Sequence, residues 1–146
     1  MKNLTLIIPA KDEAESLPNF LIELKPLNVN ITVVLQDNDL ETLKSIKNIE
    51  NVNILFQKKN GYGSAIIEGL NSSKTEYSCI INADGSMDPK YLNAMLDKCI
   101  DKDLIFASRY EKEGGGSEDD NLITFVGNKM FTFFGNLLFN LNISDI

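Results

Sequence analysis

The sequence predicts an α/β domain: a mostly parallel sheet with helices on both faces. Two observations carry this. Short apolar runs of strand length alternate with segments whose apolar residues recur at helical spacing, and Gly, Asn, Asp and Pro punctuate the junctions. At 146 residues with 43% apolar content, the chain can close one core and bury roughly two thirds of the surface its unfolded form exposes.

Leu4 to Ile8 is the first strand, and Leu17, Phe20, Leu21 and Leu24 fall on one face of the helix that follows, which Pro26 ends. Ile31 to Leu35 forms a second strand, followed by a short polar helix around Glu41 to Lys47, and Val52 to Phe56 forms a third. In NGYGSAIIEGL, Gly61 and Gly63 open a helix carrying Ala65, Ile66 and Leu70. Tyr77 to Ile81 is the fourth strand. The next helix takes Tyr91, Leu92, Met95, Leu96 and Cys99 as its buried stripe, and Leu104 to Ala107 reads as a fifth strand.

Residues 1–110 thus make the core of a single domain. Residues 111–121, EKEGGGSEDDN, read as a mobile acidic loop because three consecutive glycines interrupt charged residues. Residues 122–146 begin with an apolar helix in which Thr124, Asn128, Thr132, Asn136 and Asn140 recur every four positions, a polar stripe that drifts slowly around the axis. Lys129 and the asparagines argue against a full membrane span. A core or dimer helix, a helix lying in a membrane interface, and a helix covered by further protein all remain open. The chain stops on Ile146 without a polar tail, which reads as a truncated product or a fragment.

A formal charge of −7 without a long basic run argues against a duplex-binding surface, so nucleic acid is not an expected partner. Cys79 and Cys99 read as small core residues in a reducing compartment. With no histidine and no close cysteine pair, a zinc site is not expected. The N-terminal apolar run is too short for a signal peptide. The expected location is cytoplasmic, at the inner face of the membrane if the last helix makes peripheral contact there. Oligomeric state is left open.

The chemistry concentrates in YSCIINADGSMDP, where a strand stops and Asn82, Asp84 and Asp88 follow within seven positions. Oxygen ligands at the carboxyl end of a strand suit Mg²⁺ or Mn²⁺, hard cations that share their sites with substrate phosphates. Asp88, before Pro89, reads as an N-cap followed by a first-turn proline. Asp84 stands directly after the strand and before Gly85, where backbone can bend around a ligand.

Taken together, these segments resemble the inverting family 2 glycosyltransferases of GT-A (Rossmann-like) fold, in particular the branch of polyprenyl-phosphate glycosyltransferases and dolichyl-phosphate mannose synthases. IIPAKDEAESL is similar to the opening motif of that family and VVLQDND to its second. QKKNGYGSAIIEGL, INADGSMDP and FASRY follow in the family's order. The resemblance implies that Pro9, Lys11, Glu13 and Asp37 bind the nucleotide of a nucleoside diphosphate sugar. From the residues alone, Glu13 is equally a first-turn acid facing the helix dipole and Asp37 a turn residue. Asn82, Ala83 and Asp84 stand at the family's DXD motif, with Asn in place of the first Asp, so Asp84 is the main metal anchor, joined by Asn82 and Ser86. Arg109 matches an arginine that meets the acceptor phosphate, while Asn128 and Thr132 fall where those enzymes carry an arginine and a serine, with Lys129 beside them. Asp145, in NISDI, matches an acidic catalytic residue beyond the loop.

The expected reaction is transfer of one sugar with inversion, assisted by Mg²⁺ or Mn²⁺, to an acceptor such as polyprenyl phosphate in cell envelope or glycolipid synthesis. Two rivals stand beside it: a truncated module that binds nucleotide sugar without turnover, and a nucleotidyltransferase. The second is disfavoured because no glycine-rich basic loop follows the first strand.

Overall fold

The computed structural model describes residues 3–108, 122–141 and 143–144. The expected acidic loop at 111–121, Arg109 and Asp145 lie outside the described residues. The chain divides into two compact units, Met1–Lys90 and Tyr91–Ile146.

In the first unit, β1 (Leu4–Pro9), β2 (Asn30–Leu35), β3 (Val52–Phe56) and β4 (Tyr77–Ile80) form one sheet in the order β3-β2-β1-β4, with every pair parallel. β1 sits inside the sheet, and its six residues LTLIIP are all buried, as an unbroken apolar run in a two-sided sheet demands. Ile8 pairs with Val33 and Ile7 with Ile80, so the register is fixed from both sides.

The strands are joined by α1 (Leu17–Leu24), α2 (Leu40–Ile46) and α3 (Tyr62–Ser72). Right-handed crossovers that step outward from β1 to β3 place α1 and α2 on one face, and the return from β3 to β4 carries α3 over the other. The anticipated stripe of α1 is buried at all four positions, and each such side chain contributes roughly 1.5–3 kcal/mol relative to exposure. On the opposite face, Ile7, Val34 and Ala65 form a buried apolar cluster with Leu55 against it.

α3 approaches the sheet through small residues. Ala65 and Gly69 are its buried positions, whereas Ile66 is half-buried and Leu70 is exposed. Of the expected apolar positions Ala65, Ile66 and Leu70, only Ala65 is fully buried. A Cβ at Gly69 would stand 2.3 Å from Cγ2 of Ile7 and 3.1 Å from Cγ2 of Val34, so the helix axis lies too close for a larger residue there.

Among the described residues the sheet ends with four strands. Leu104 to Ala107 is irregular, with Leu104 and Phe106 largely exposed, which corrects the expected fifth strand. Four apolar residues satisfy the hydrophobic pattern, but a strand also requires a hydrogen-bonded neighbour.

In the second unit, α4 (Leu92–Lys98) buries Leu92 and half-buries Met95 and Leu96, as does Cys99 just beyond it. Tyr91, expected in that stripe, sits in the preceding short 3-10 helix (Pro89–Tyr91) and is exposed. α5 (Leu122–Phe139) spans much of the expected C-terminal stretch, and the polar stripe is buried only in part, with Thr124 and Asn140 exposed. Thr132 and Gly135 are buried and Asn128 and Asn136 half-buried, while Phe131, Phe133, Leu137, Leu138 and Phe139 are each at least 60% exposed. The amide of Asn136 explains part of this: it donates to the Ile143 carbonyl at 2.9 Å and accepts the Ile143 N–H at 3.1 Å, clasping the chain that follows the helix. No helix among the described residues is long and apolar enough to cross a membrane.

Candidate functional site

Strands β1, β2 and β3 run outward in one direction, and β4 lies on the other side of β1. Loops diverge where that order reverses, so a crevice opens beyond the carboxyl ends of β1 and β4, the usual ligand position in open parallel sheets. A cavity of about 300 Å³ lies there, lined by residues that follow each of the four strands.

From β1 come Pro9, Ala10, Lys11 and Glu13. Their loop is tied to the start of α2. Asp39 caps that helix by accepting the Thr42 N–H at 3.2 Å, and its other oxygen accepts the Asp12 N–H at 2.9 Å. The fully buried Thr42 hydroxyl accepts the Glu13 N–H at 3.0 Å. Asp12 itself is left-handed, φ 60°, a conformation in which Asp is tolerated better than most residues. The Glu13 carboxylate accepts the Ser16 hydroxyl, so Glu13 both lines the crevice and supports the first turn of α1.

Gln36 follows β2 and Gln57 follows β3. Gln57 donates from Nε2 to the Lys59 carbonyl at 2.6 Å. The loop then enters α3 through Gly61, whose φ of 111° is open to glycine and strained for any other residue. Gly61, Tyr62 and Ala65 bring the N-terminal end of α3 to the crevice wall, where its unpaired N–H groups favour negative charge.

Asn82, Ala83 and Asp84 complete the wall after β4. Oδ1 of Asp84 accepts the Ser86 N–H at 2.9 Å across Gly85, which has φ 75°. Asp84 is exposed at the crevice, and no partner among the described residues engages its second oxygen. Oδ1 of Asn82 accepts the Tyr62 hydroxyl at 3.0 Å. Asp88 accepts the Lys90 N–H at 2.9 Å and pairs with the Lys90 ammonium, and these bonds hold its carboxyl below the usual aspartate range. Its place ahead of Pro89 is the structural one anticipated.

Of the residues named from the sequence, Pro9, Lys11, Glu13, Asn82, Ala83 and Asp84 line the crevice. Asp37 is exposed and does not line it; Gln36, one residue earlier, does. Ser86 takes part through its backbone N–H and lies outside the lining. Asn128, Lys129 and Thr132 are on α5, with Thr132 buried and the Lys129 ammonium 5.8 Å from the Phe125 ring centroid. Gln36, Gln57 and Tyr62 were missed. Each lies in the first few residues after a strand or at the opening of α3, and position in an α/β sheet was the available signal.

Among the described residues no three His, Cys, Asp or Glu side chains cluster as a metal cage. The carboxylates lining the crevice are Glu13, which accepts the Ser16 hydroxyl, and Asp84, which stands beside the hydroxyl-bound amide of Asn82. That fits a cation whose remaining ligands come from a substrate's phosphates and water, as is usual for Mg²⁺.

An open parallel sheet with a crevice at its switch point defines an α/β domain of the doubly wound class. More specifically, the chain belongs to glycosyl transferase family 2, whose sequence model matches residues 5–146, and its sheet has the GT-A-like form of that enzyme class. It is 34% identical to an uncharacterized glycosyltransferase of Mycobacterium bovis and to two of Mycobacterium tuberculosis strains, over 66% of this chain and 45% of each relative's length. The chain thus aligns with less than half the length of these relatives.

Proposed function

We propose that this chain binds a nucleoside diphosphate sugar in the crevice and takes part in transferring the sugar, with inversion, to an acceptor phosphate. The observation that supports this most is Asp84. It follows β4 directly, faces the crevice and keeps one carboxylate oxygen without a partner among the described residues. That oxygen would hold Mg²⁺ or Mn²⁺ against the donor's diphosphate, and such a cation, when bound, supplies charge neutralisation for the departing diphosphate.

The other lining groups divide the remaining work. The N-terminal end of α3 adds fixed positive dipole beside the phosphates. Gln36 and Gln57 present neutral amides that can donate and accept at once, suited to a nucleobase or ribose. Glu13, steadied by Ser16 and Thr42, lines the β1 side. An anionic acceptor needs positioning more than deprotonation, since it attacks as it stands.

In this reading the acceptor is a polyprenyl phosphate, met by Arg109 with Lys129 and Asn128, and Asp145 assists beyond the loop. The apolar exposed side of α5 supports peripheral contact with the membrane in which such an acceptor resides.

The test is calorimetric titration of a panel of UDP- and GDP-sugars with and without Mn²⁺. Binding to the parent is expected to strengthen with Mn²⁺, and Asp84→Ala is expected to lose that enhancement. Equal affinity of the variant and the parent in Mn²⁺ would sink the assignment of Asp84. Formation of a sugar-linked polyprenyl phosphate from a radiolabelled donor tests the acceptor.

A further inference from the structure

Asn82 lines the crevice two residues before Asp84, and its side chain is already engaged. Its Oδ1 accepts the hydroxyl of Tyr62 at 3.0 Å, across the crevice that both residues line. Tyr62 is the first residue of α3, directly after Gly61, so the hydroxyl is delivered from the end of a helix whose partial charge is positive.

This contact divides the two edges of the amide. A carboxamide has one acceptor oxygen and one donor nitrogen. With the oxygen occupied by a phenol, the Nδ2 hydrogens are the edge left over, and no partner among the described residues takes them. The crevice that Tyr62 and Asn82 share is lined by the α3 N-terminal end, Ala83 and Lys11, and also by the carboxylates of Glu13 and Asp84. A pair of N–H donors beside a helix N-terminus is suited to anionic oxygen.

We propose that Tyr62 and Asn82 act as one anion-binding pair, in which the phenol hydroxyl fixes the amide plane and the amide N–H groups bind a nucleoside diphosphate directly rather than through a cation. The proposal rests on the donor-binding reading above and assigns a division of labour within it. Asp84 carries the cation-dependent part of diphosphate binding, and the Tyr62–Asn82 pair carries a cation-independent part. Tyr62 is a positioning residue in this scheme, acting through Asn82.

UDP and GDP, titrated calorimetrically in Mn²⁺ and separately in EDTA against the parent, Tyr62→Phe and Asn82→Asp, test it. The parent is expected to keep measurable binding in EDTA. Tyr62→Phe retains the ring and removes one hydrogen bond, and is expected to weaken binding about three- to ten-fold in both conditions. Asn82→Asp keeps the size of the side chain but replaces its donors with a charge. It is expected to weaken EDTA binding at least about ten-fold and to recover in Mn²⁺.

Tighter Mn²⁺-dependent binding by Tyr62→Phe would mean that Oδ1 is a cation ligand held back by the phenol; that result, or unchanged binding by the variant in EDTA, would overturn the proposal. So would a parent that binds only in Mn²⁺. A folded parent that binds neither nucleotide in either condition would remove the donor reading itself, and the pair's role with it.

Discussion

Both carboxylate oxygens of Glu68 accept the backbone N–H of Lys58, at 3.0 and 2.8 Å, and one of them also accepts the N–H of Lys59 at 3.1 Å. Glu68 lies in the second turn of α3, so the helix holds the loop that leads into it. That loop carries Gln57 and Gly61 to the crevice.

Glu68→Ala should therefore loosen one wall of the crevice while leaving the sheet intact. The expected cost is about 1–2 kcal/mol in chemical denaturation, because two backbone donors lose a charged acceptor but can turn to water. Amide exchange should accelerate at Lys58 and Lys59, with β1 and β2 unaffected. Unchanged protection at both amides would show that the carboxylate does not organise the loop.

The three glycines of the α3 segment should respond differently to alanine. Gly61→Ala places a side chain at φ 111° and should cost roughly 1–3 kcal/mol. Gly63 lies within the helix with nothing near its missing Cβ, so Gly63→Ala should be neutral or stabilising by up to about 1 kcal/mol. Gly69→Ala meets Ile7 at once and should destabilise by about 1–3 kcal/mol. Urea midpoints of the three variants check this order.

Thr42→Val removes the buried hydroxyl that receives the Glu13 N–H. A part-buried donor left without an acceptor costs about 1–3 kcal/mol, and the β1 to α1 loop should lose its anchor. Nucleotide affinity should fall together with stability, whereas Thr42→Ser should restore both. A valine variant as stable as the parent would remove this link.

Asp88 has its folded pKa lowered, first by the side-chain bond to Lys90 and then by the Lys90 backbone N–H. The sign follows directly: the contribution is present above the unfolded pKa near 3.8 and is lost as pH falls through the lower folded value. A carboxyl NMR titration should place the Asp88 midpoint below 3.8, and Lys90→Ala should raise it. A midpoint indifferent to Lys90 would contradict the assigned cause.

Much of the first unit was legible because its signals are local. The α1 stripe of Leu17, Phe20, Leu21 and Leu24 has one periodicity, and β1 is an unbroken apolar run between turn residues. Asp84 was legible because its position after a strand and before glycine has a structural meaning of its own. What escaped depended on distant partners. Leu104 to Ala107 has a strand's composition without a ladder. The face of α3 could not be chosen from hydrophobicity, since Gly69 matters through its closeness to Ile7. In α5 large apolar residues are exposed while the Asn136 amide turns to Ile143, a pairing that helical spacing does not reveal. Tyr62 was overlooked because its partner, Asn82, is twenty residues away.

Gln36, Gln57 and Asn82 each come after the last ladder residue of a strand whose neighbours fix its register. Replacing any of them leaves the pairing behind it unchanged. In the proposed donor site, substitutions at these positions would therefore alter ligand contacts one at a time, on a mount that does not have to be rebuilt.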